Sequence, residues 1–206
     1  MISNIKINMT LYLQRHQIRE DGICADIKLT KEGLKNSKTI TLKKLTDEKI
    51  DIIYSSPFLR TLQTVSPYAK KNEKVIKIEN GFMDILLKRY FKKGDKLKTD
   101  SKMRDKYNIY KIKQNDSIVS TEDMGKRINE NKDDLKERIE YIMPLFMKKI
   151  NKYINSGKNV VIVSHCGVML EILKFFGIST LTTFIKMGDL IKIDKKIIDN
   201  YYLTNK

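Results

Sequence analysis

The sequence predicts an α/β protein, a three-layer α/β/α arrangement with a mostly parallel central sheet and one inserted segment. Short β-rich runs alternate with helical periodicities through most of the chain, the pattern of strand–helix–strand units. The run Asn159-Val160-Val161-Ile162-Val163-Ser164 has an unbroken apolar, β-branched centre, as strands buried on both faces require. The two histidines of the chain, His16 and His165, each directly follow a predicted strand. In an open parallel sheet that edge is where ligands bind.

Each element has its own signal. Residues 5–14 alternate apolar and polar, which predicts the first strand. Over 29–50 a helix is expected, with Thr30 as its N-cap and Leu34, Ile40 (or Thr41) and Leu45 on one side. Residues 50–56 form a short apolar strand, and Pro57 suits the first turn of a helix carrying Leu59, Leu62, Val65 and Ala69. Residues 75–80 are a third strand. From 85 to 133 periodicity is weak and lysines are dense, which predicts an insertion rather than a core element. Helix 134–155 has Leu135, Ile139, Ile142, Phe146 and Ile150 on one stripe, with a kink or break expected at Pro144. Strand 159–165 is followed by a helix over 167–177 that Gly177 ends. Residues 189–206 alternate twice around a polar Lys-Lys pair, which predicts a terminal hairpin.

The chain of 206 residues fits one domain, 1–206, with 85–133 inserted. With 41% hydrophobic residues it can bury a real core. Two cysteines, Cys24 and Cys166, are too few for a disulfide scaffold and suggest a reducing compartment. No apolar run approaches the ~20 residues of a membrane span, and the first residues lack a signal-peptide layout. A cytoplasmic protein is expected, with no membrane partner. The formal charge is +16, which favours anionic partners without choosing among them. Of the 41 basic residues, 34 are lysine and seven arginine. Lysine, isoleucine and asparagine all have A/T-rich codons, so an A/T-rich coding sequence would account for much of the lysine surplus. Each remaining arginine is correspondingly more informative.

Two of those arginines stand beside the histidines. Arg15 precedes His16, and Arg60 lies on the first turn after the strand that ends at Ser55-Ser56. Guanidinium forks match phosphate oxygens bidentately. Helix N-termini near Pro57 and Gly167 would add backbone N–H donors. Two histidines and two arginines on one sheet edge make a pocket for a tetrahedral dianion.

These motifs resemble the histidine phosphatase superfamily, the phosphoglycerate-mutase-like group. Arg15-His16-Gln17 is similar to the opening Arg-His-Gly signature, and Asp26-Ile27-Lys28-Leu29-Thr30-Lys31-Glu32-Gly33 to the Asp-x-x-Leu-Thr-x-x-Gly that follows. The stretch Tyr54 to Thr64 resembles the second signature, and Ser164-His165-Cys166-Gly167-Val168 the third. The resemblance spans about 9–177 in family order. It implies a Rossmann-like fold and metal-independent, cofactor-free hydrolysis of a phosphomonoester through a phosphohistidine on His16. His165 and a carboxylate after the third strand would complete the catalytic set. In Glu79-Asn80-Gly81-Phe82-Met83-Asp84, Asp84 takes the carboxylate's place. Arg15, Arg60, Gln17, Cys166 and Gly167 would line the phosphate pocket.

Three departures stand out: Gln17 and Cys166 replace the usual glycines, and Asp84 is one methylene shorter than glutamate. The resemblance also implies that 85–133 forms a cap over the pocket. Within it, 85–113 carries eleven basic residues against three acidic ones, which suits a phosphorylated small molecule or phosphoprotein. Tyr90, Phe91, Tyr107 and Tyr110 lie there too, so nucleic acid is a possible but not favoured partner. A phosphoglycerate-mutase-type phosphotransferase is an alternative, disfavoured because the chain has no tryptophan to match the Trp-Asn of the glycolytic mutases. A catalytically weak phospho-ligand or protein-binding module on the same fold is another.

Overall fold

A computed structural model describes residues 9–22, 26–87, 106–107, 109–114, 116–127, 129–178 and 184–205. In chain order the elements are β1 (Leu11–Arg15), α1 (Lys31–Asn36), a π-helical turn (Ser37–Thr41), α2 (Leu42–Asp47), β2 (Ile50–Ser55) and α3 (Leu59–Lys71). There follow β3 (Ile76–Ile78), β4 (Ile112–Lys113), α4 (Thr121–Lys126), α5 (Lys132–Ile150), β5 (Asn159–Ser164), α6 (Cys166–Phe175), β6 (Leu190–Ile193) and α7 (Lys195–Thr204).

The six strands form one sheet in the order β4-β3-β2-β5-β1-β6. All neighbouring pairs are parallel except β1 with β6. Side-chain alternation along the strands divides the core in two. Leu11, Leu13, Val160 and Ile162 pack against Ile139 and Phe146 of α5, Met169 and Ile172 of α6, and Ile198 of α7. Tyr12, Ile53, Val161 and Val163 face the other way, towards Leu45 of α2 and Leu62, Val65 and Ala69 of α3. Helices therefore cover both faces, and the central strand β5 is buried and apolar from Val160 to Val163.

Local chemistry fixes the element ends. Thr30 caps α1, its hydroxyl accepting from the Gly33 N–H. Gly33 also has no room for a side chain, since a Cβ there would lie 2.0 Å from the Ile18 carbonyl oxygen. Gly177, at φ +68, closes α6 with Gly177 N–H donating to the Lys174 carbonyl and Ile178 N–H to that of Leu173. Phe58 is the N-cap of α3, so Pro57 lies just before the helix rather than in its first turn.

Three expectations need correction. The break expected as one outcome at Pro144 does not occur, since helix α5 runs from Lys132 through Pro144 to Ile150. Pro144 sits on the exposed side, where water can pair the carbonyl it leaves free, while Ile142, Phe146 and Ile150 continue the buried stripe. The terminal segment is a strand and a helix, not a hairpin. Asp194 caps α7 by accepting from Lys196 N–H, and Ile198, Tyr201 and Tyr202 make a helical stripe against the core. Finally, the described part of 85–133 does contribute core. Strand β4 extends the sheet beside β3, and Val119 and Met124 are buried. Cys24, Tyr90, Phe91 and most of the lysine-rich stretch lie outside the described residues. Among the described residues no helix is long and apolar enough to cross a membrane.

Candidate active site

Strand ends deliver the two histidines to one place. His16 follows β1 and His165 follows β5, its parallel neighbour, where the His16 N–H donates to the Ser164 carbonyl. Their ring centroids are 5.4 Å apart and both side chains are buried. From β2, the neighbour on the other side of β5, Ser56 brings its hydroxyl to 3.0 Å from His165 Nε2. Thr64 of α3 ties helix to strand, its hydroxyl donating to the Arg60 carbonyl and accepting from the Gln17 N–H. That brace fixes Arg60, on the first turn of α3, relative to His16.

The Nδ1 of His16 lies 2.8 Å from the Gln17 carbonyl oxygen. A carbonyl can only accept, so the neutral ring carries its proton on Nδ1 and keeps the Nε2 lone pair free. The ring is held neutral, its pKa lowered to about 3, chiefly by burial and then by the Arg60 charge. His165 is pushed well below its ordinary value by the same burial and by Arg60.

Contacts of Arg60, Asp84 and Arg15 shape the remaining wall. The Arg60 guanidinium lies over the Phe58 ring and donates to Asp84 Oδ2 at 2.9 Å. The same oxygen stands 3.5 Å from His165 Nδ1. That nitrogen makes no hydrogen bond, and with His165 neutral the contact is not an ion pair. Arg15 lies under the Phe184 ring and donates through Nη1 to the Ile185 carbonyl, while its buried Nε has no partner. Asp84 is 34% exposed, so the pocket opens to solvent on its side.

His16, His165, Arg15, Arg60 and Asp84 therefore share one site. Gln17 is adjacent but turned elsewhere: its main-chain N–H goes to Thr64, and its side-chain amide donates to Thr41 in the π-helical turn. A Cβ on Gly188 would come within 2.5 Å of that amide, which packs Gln17 tightly in place. Cys166 and Gly167 open α6, whose N-terminus has no side-chain cap. The Cys166 sulfur accepts from the Ile185 N–H, which joins α6 to the loop beneath Arg15.

Sequence reading missed the residues that hold Asp84. Arg138 is wholly buried and pairs through Nε and Nη2 with Glu130, each at 2.8 Å. It also donates to the carbonyls of Gly81, Met83 and Asp84. The available signal was its position, since a guanidinium on the apolar stripe of Leu135, Ile139 and Ile142 needs buried partners. Glu79, also fully buried, accepts from Gly81 N–H, the Ser117 hydroxyl and Ile118 N–H, which anchors the end of β3.

Such a cluster, two guanidinium groups beside two neutral imidazoles and an uncapped helix N-terminus, suits a tetrahedral oxyanion. Among the described residues no group of three or more His, Cys, Asp or Glu is arranged to hold a metal ion.

Known proteins share this architecture. Ecdysone phosphate phosphatase from Bombix mori, solved with tungstate, superposes with a TM-score of 0.62 at 14% identity, over 91% of this chain and 90% of that one. YhfR from Bacillus stearothermophilus gives 0.62 at 18%, over 90% and 91%. A mutant phosphoserine phosphatase from Entamoeba histolytica, in complex with phosphoserine, gives 0.55 at 17%, over 89% of both chains. In sequence, the chain is 23% identical to the 55 kDa subunit of transcription factor tau from Saccharomyces cerevisiae, across 96% of this chain and 48% of that protein. It thus spans about half the length of that curated relative. A sequence model of the histidine phosphatase superfamily (branch 1) matches residues 11–187, which takes in β1, the second and third signatures and both histidines. The chain belongs to the histidine phosphatase superfamily.

Proposed function

We propose that the protein is a phosphatase that hydrolyses a phosphomonoester through a phosphohistidine on His16. The observation that carries this reading is the Nδ1–H bond from His16 to the Gln17 carbonyl, which leaves Nε2 as a free nucleophile among buried cations. In the first step Nε2 attacks phosphorus, the phosphorus–oxygen bond to the leaving group breaks, and the Asp84 carboxyl gives its proton to the leaving oxygen. In the second step Asp84 takes a proton from water, whose oxygen attacks phosphorus and expels His16. Inorganic phosphate leaves and both residues return to their starting states. Arg15, Arg60 and His165 hold the phosphoryl oxygens, with backbone N–H groups at Cys166 and Gly167. Gln17 acts through its carbonyl on His16, not as a phosphate ligand.

The named activities of the fold relatives support a phosphorylated small-molecule substrate. A second reading, a phospho-ligand or protein-binding module, draws on the relative that is by name a transcription-factor subunit. Assay of the purified protein against aryl and alkyl phosphates separates the two. Hydrolysis abolished by His16→Ala supports the phosphatase; activity retained by His16→Ala, or no hydrolysis by the wild type, refutes it.

A further inference from the structure

The segment that delivers Asp84 is clasped by two residues, Glu130 and Arg138, that lie outside the motifs around the two histidines. Residues 81–86 carry few regular hydrogen bonds of their own, and the carbonyls of Gly81, Met83 and Asp84 all turn to one guanidinium, that of Arg138. Its other N–H groups go to the two oxygens of Glu130, so all five of its donors are used. Glu130 also accepts from the Leu86 N–H, and the Leu86 carbonyl accepts from Asn129 and Glu130 N–H. The loop is thus pinned at both ends. It is also pressed onto α5, since a Cβ at Gly81 would lie 2.1 Å from Ile142.

We infer that Arg138, oriented by Glu130, is a positioning residue that sets the reach of Asp84 to the leaving oxygen. The inference rests on the reading of Asp84 as general acid. Aspartate has one torsion fewer than glutamate, so its side chain cannot make good a shifted backbone. The position of the 81–84 backbone then decides whether the carboxyl meets the leaving group, and Arg138 is what fixes that position. Arg138 touches no reacting atom in this scheme. A buried charge pair on this scale is costly to assemble, and its hydrogen bonds go to the acid loop rather than to the core in general.

The test measures kcat and KM for Asp84→Asn, Arg138→Lys and Glu130→Gln on two substrates, p-nitrophenyl phosphate and glycerol phosphate. The nitrophenolate leaves with little need of a proton, whereas the alkoxide needs one. Positioning predicts that Arg138→Lys and Glu130→Gln lose on the order of 10²-fold in kcat on glycerol phosphate, and under about 10-fold on p-nitrophenyl phosphate. KM and inhibition by tungstate should stay near the wild-type values. The double variant with Asp84→Asn should lose no more on glycerol phosphate than Asp84→Asn alone. Equal losses on both substrates, weakened tungstate inhibition, additive losses in the double variant, or unchanged kinetics would overturn the inference. If Asp84→Asn itself shows no leaving-group dependence, the general-acid reading fails and the positioning role falls with it. If Asp84→Asn is selective and the other two variants are not, only the positioning role fails.

Discussion

His16 Nδ1 and the Gln17 carbonyl oxygen are 2.8 Å apart, and that single bond determines which ring nitrogen is free to react. The backbone of the neighbouring residue sets the tautomer, so Gln17 in place of glycine costs nothing there. Its side chain is turned away to Thr41. Nitrogen-15 NMR of the imidazoles should show His16 as the neutral Nδ1–H form at pH 7. An Nε2–H form would contradict the geometry.

Stability should fall with acid. In the unfolded chain both histidines titrate at about 6.5, whereas in the fold His16 stays neutral down to about 3 and His165 is also strongly lowered. Below ~6.5 the unfolded state therefore binds protons that the native state does not. Stability is full above that pH and is lost as pH falls, by about 1.4 kcal/mol per unit for each histidine. Urea unfolding of wild type and His16→Gln between pH 6 and 4 checks this. The variant should lose one proton's worth of slope.

Arg60 is the largest charge acting on His16 after burial itself. Arg60→Met should therefore raise the His16 pKa, seen directly by NMR titration. It should also weaken tungstate inhibition by on the order of 10- to 100-fold, as expected for removal of a buried charge-assisted donor. Unchanged inhibition would place Arg60 outside the anion site.

Gly33 stabilises by what it lacks. A methyl group there would meet a backbone oxygen at 2.0 Å, whereas one at Gly125 in α4 meets nothing within 4 Å. Gly33→Ala should destabilise by about 1–3 kcal/mol. Gly125→Ala should be neutral or stabilising by up to about 1 kcal/mol. Denaturant midpoints of the two variants decide the matter.

What could be read from the sequence follows from how local each signal is. The strand ends at His16 and His165 were legible because a buried β-branched run leads into β5 and apolar alternation into β1. Their parallel pairing then brings the rings together. Thr30 and Gly177 were legible because caps act within a few residues. The C-terminal helix was not, since Ile-Ile-Asp-Asn-Tyr-Tyr is a single short repeat near four that directly follows the alternating run of β6. Packing of Tyr201 against Phe175 and Phe176 settles it. Nor was the continuity of α5 at Pro144, which depends on which side of the helix faces water. Strand β4 has only two residues, too short for a pattern. The place of Arg138 on the apolar stripe marks it as needing buried partners, but the loop it holds lies more than forty residues upstream, and nothing local names that loop.

The most direct test of the phosphohistidine is to catch it. The protein is mixed with phosphorus-32-labelled p-nitrophenyl phosphate, quenched in alkali within the first turnover, and digested for peptide mapping. Label on the peptide bearing His16, stable to alkali and lost in acid, with none in His16→Ala, is the predicted result. Turnover with no acid-labile label on that peptide, or turnover that survives His16→Ala, would contradict it.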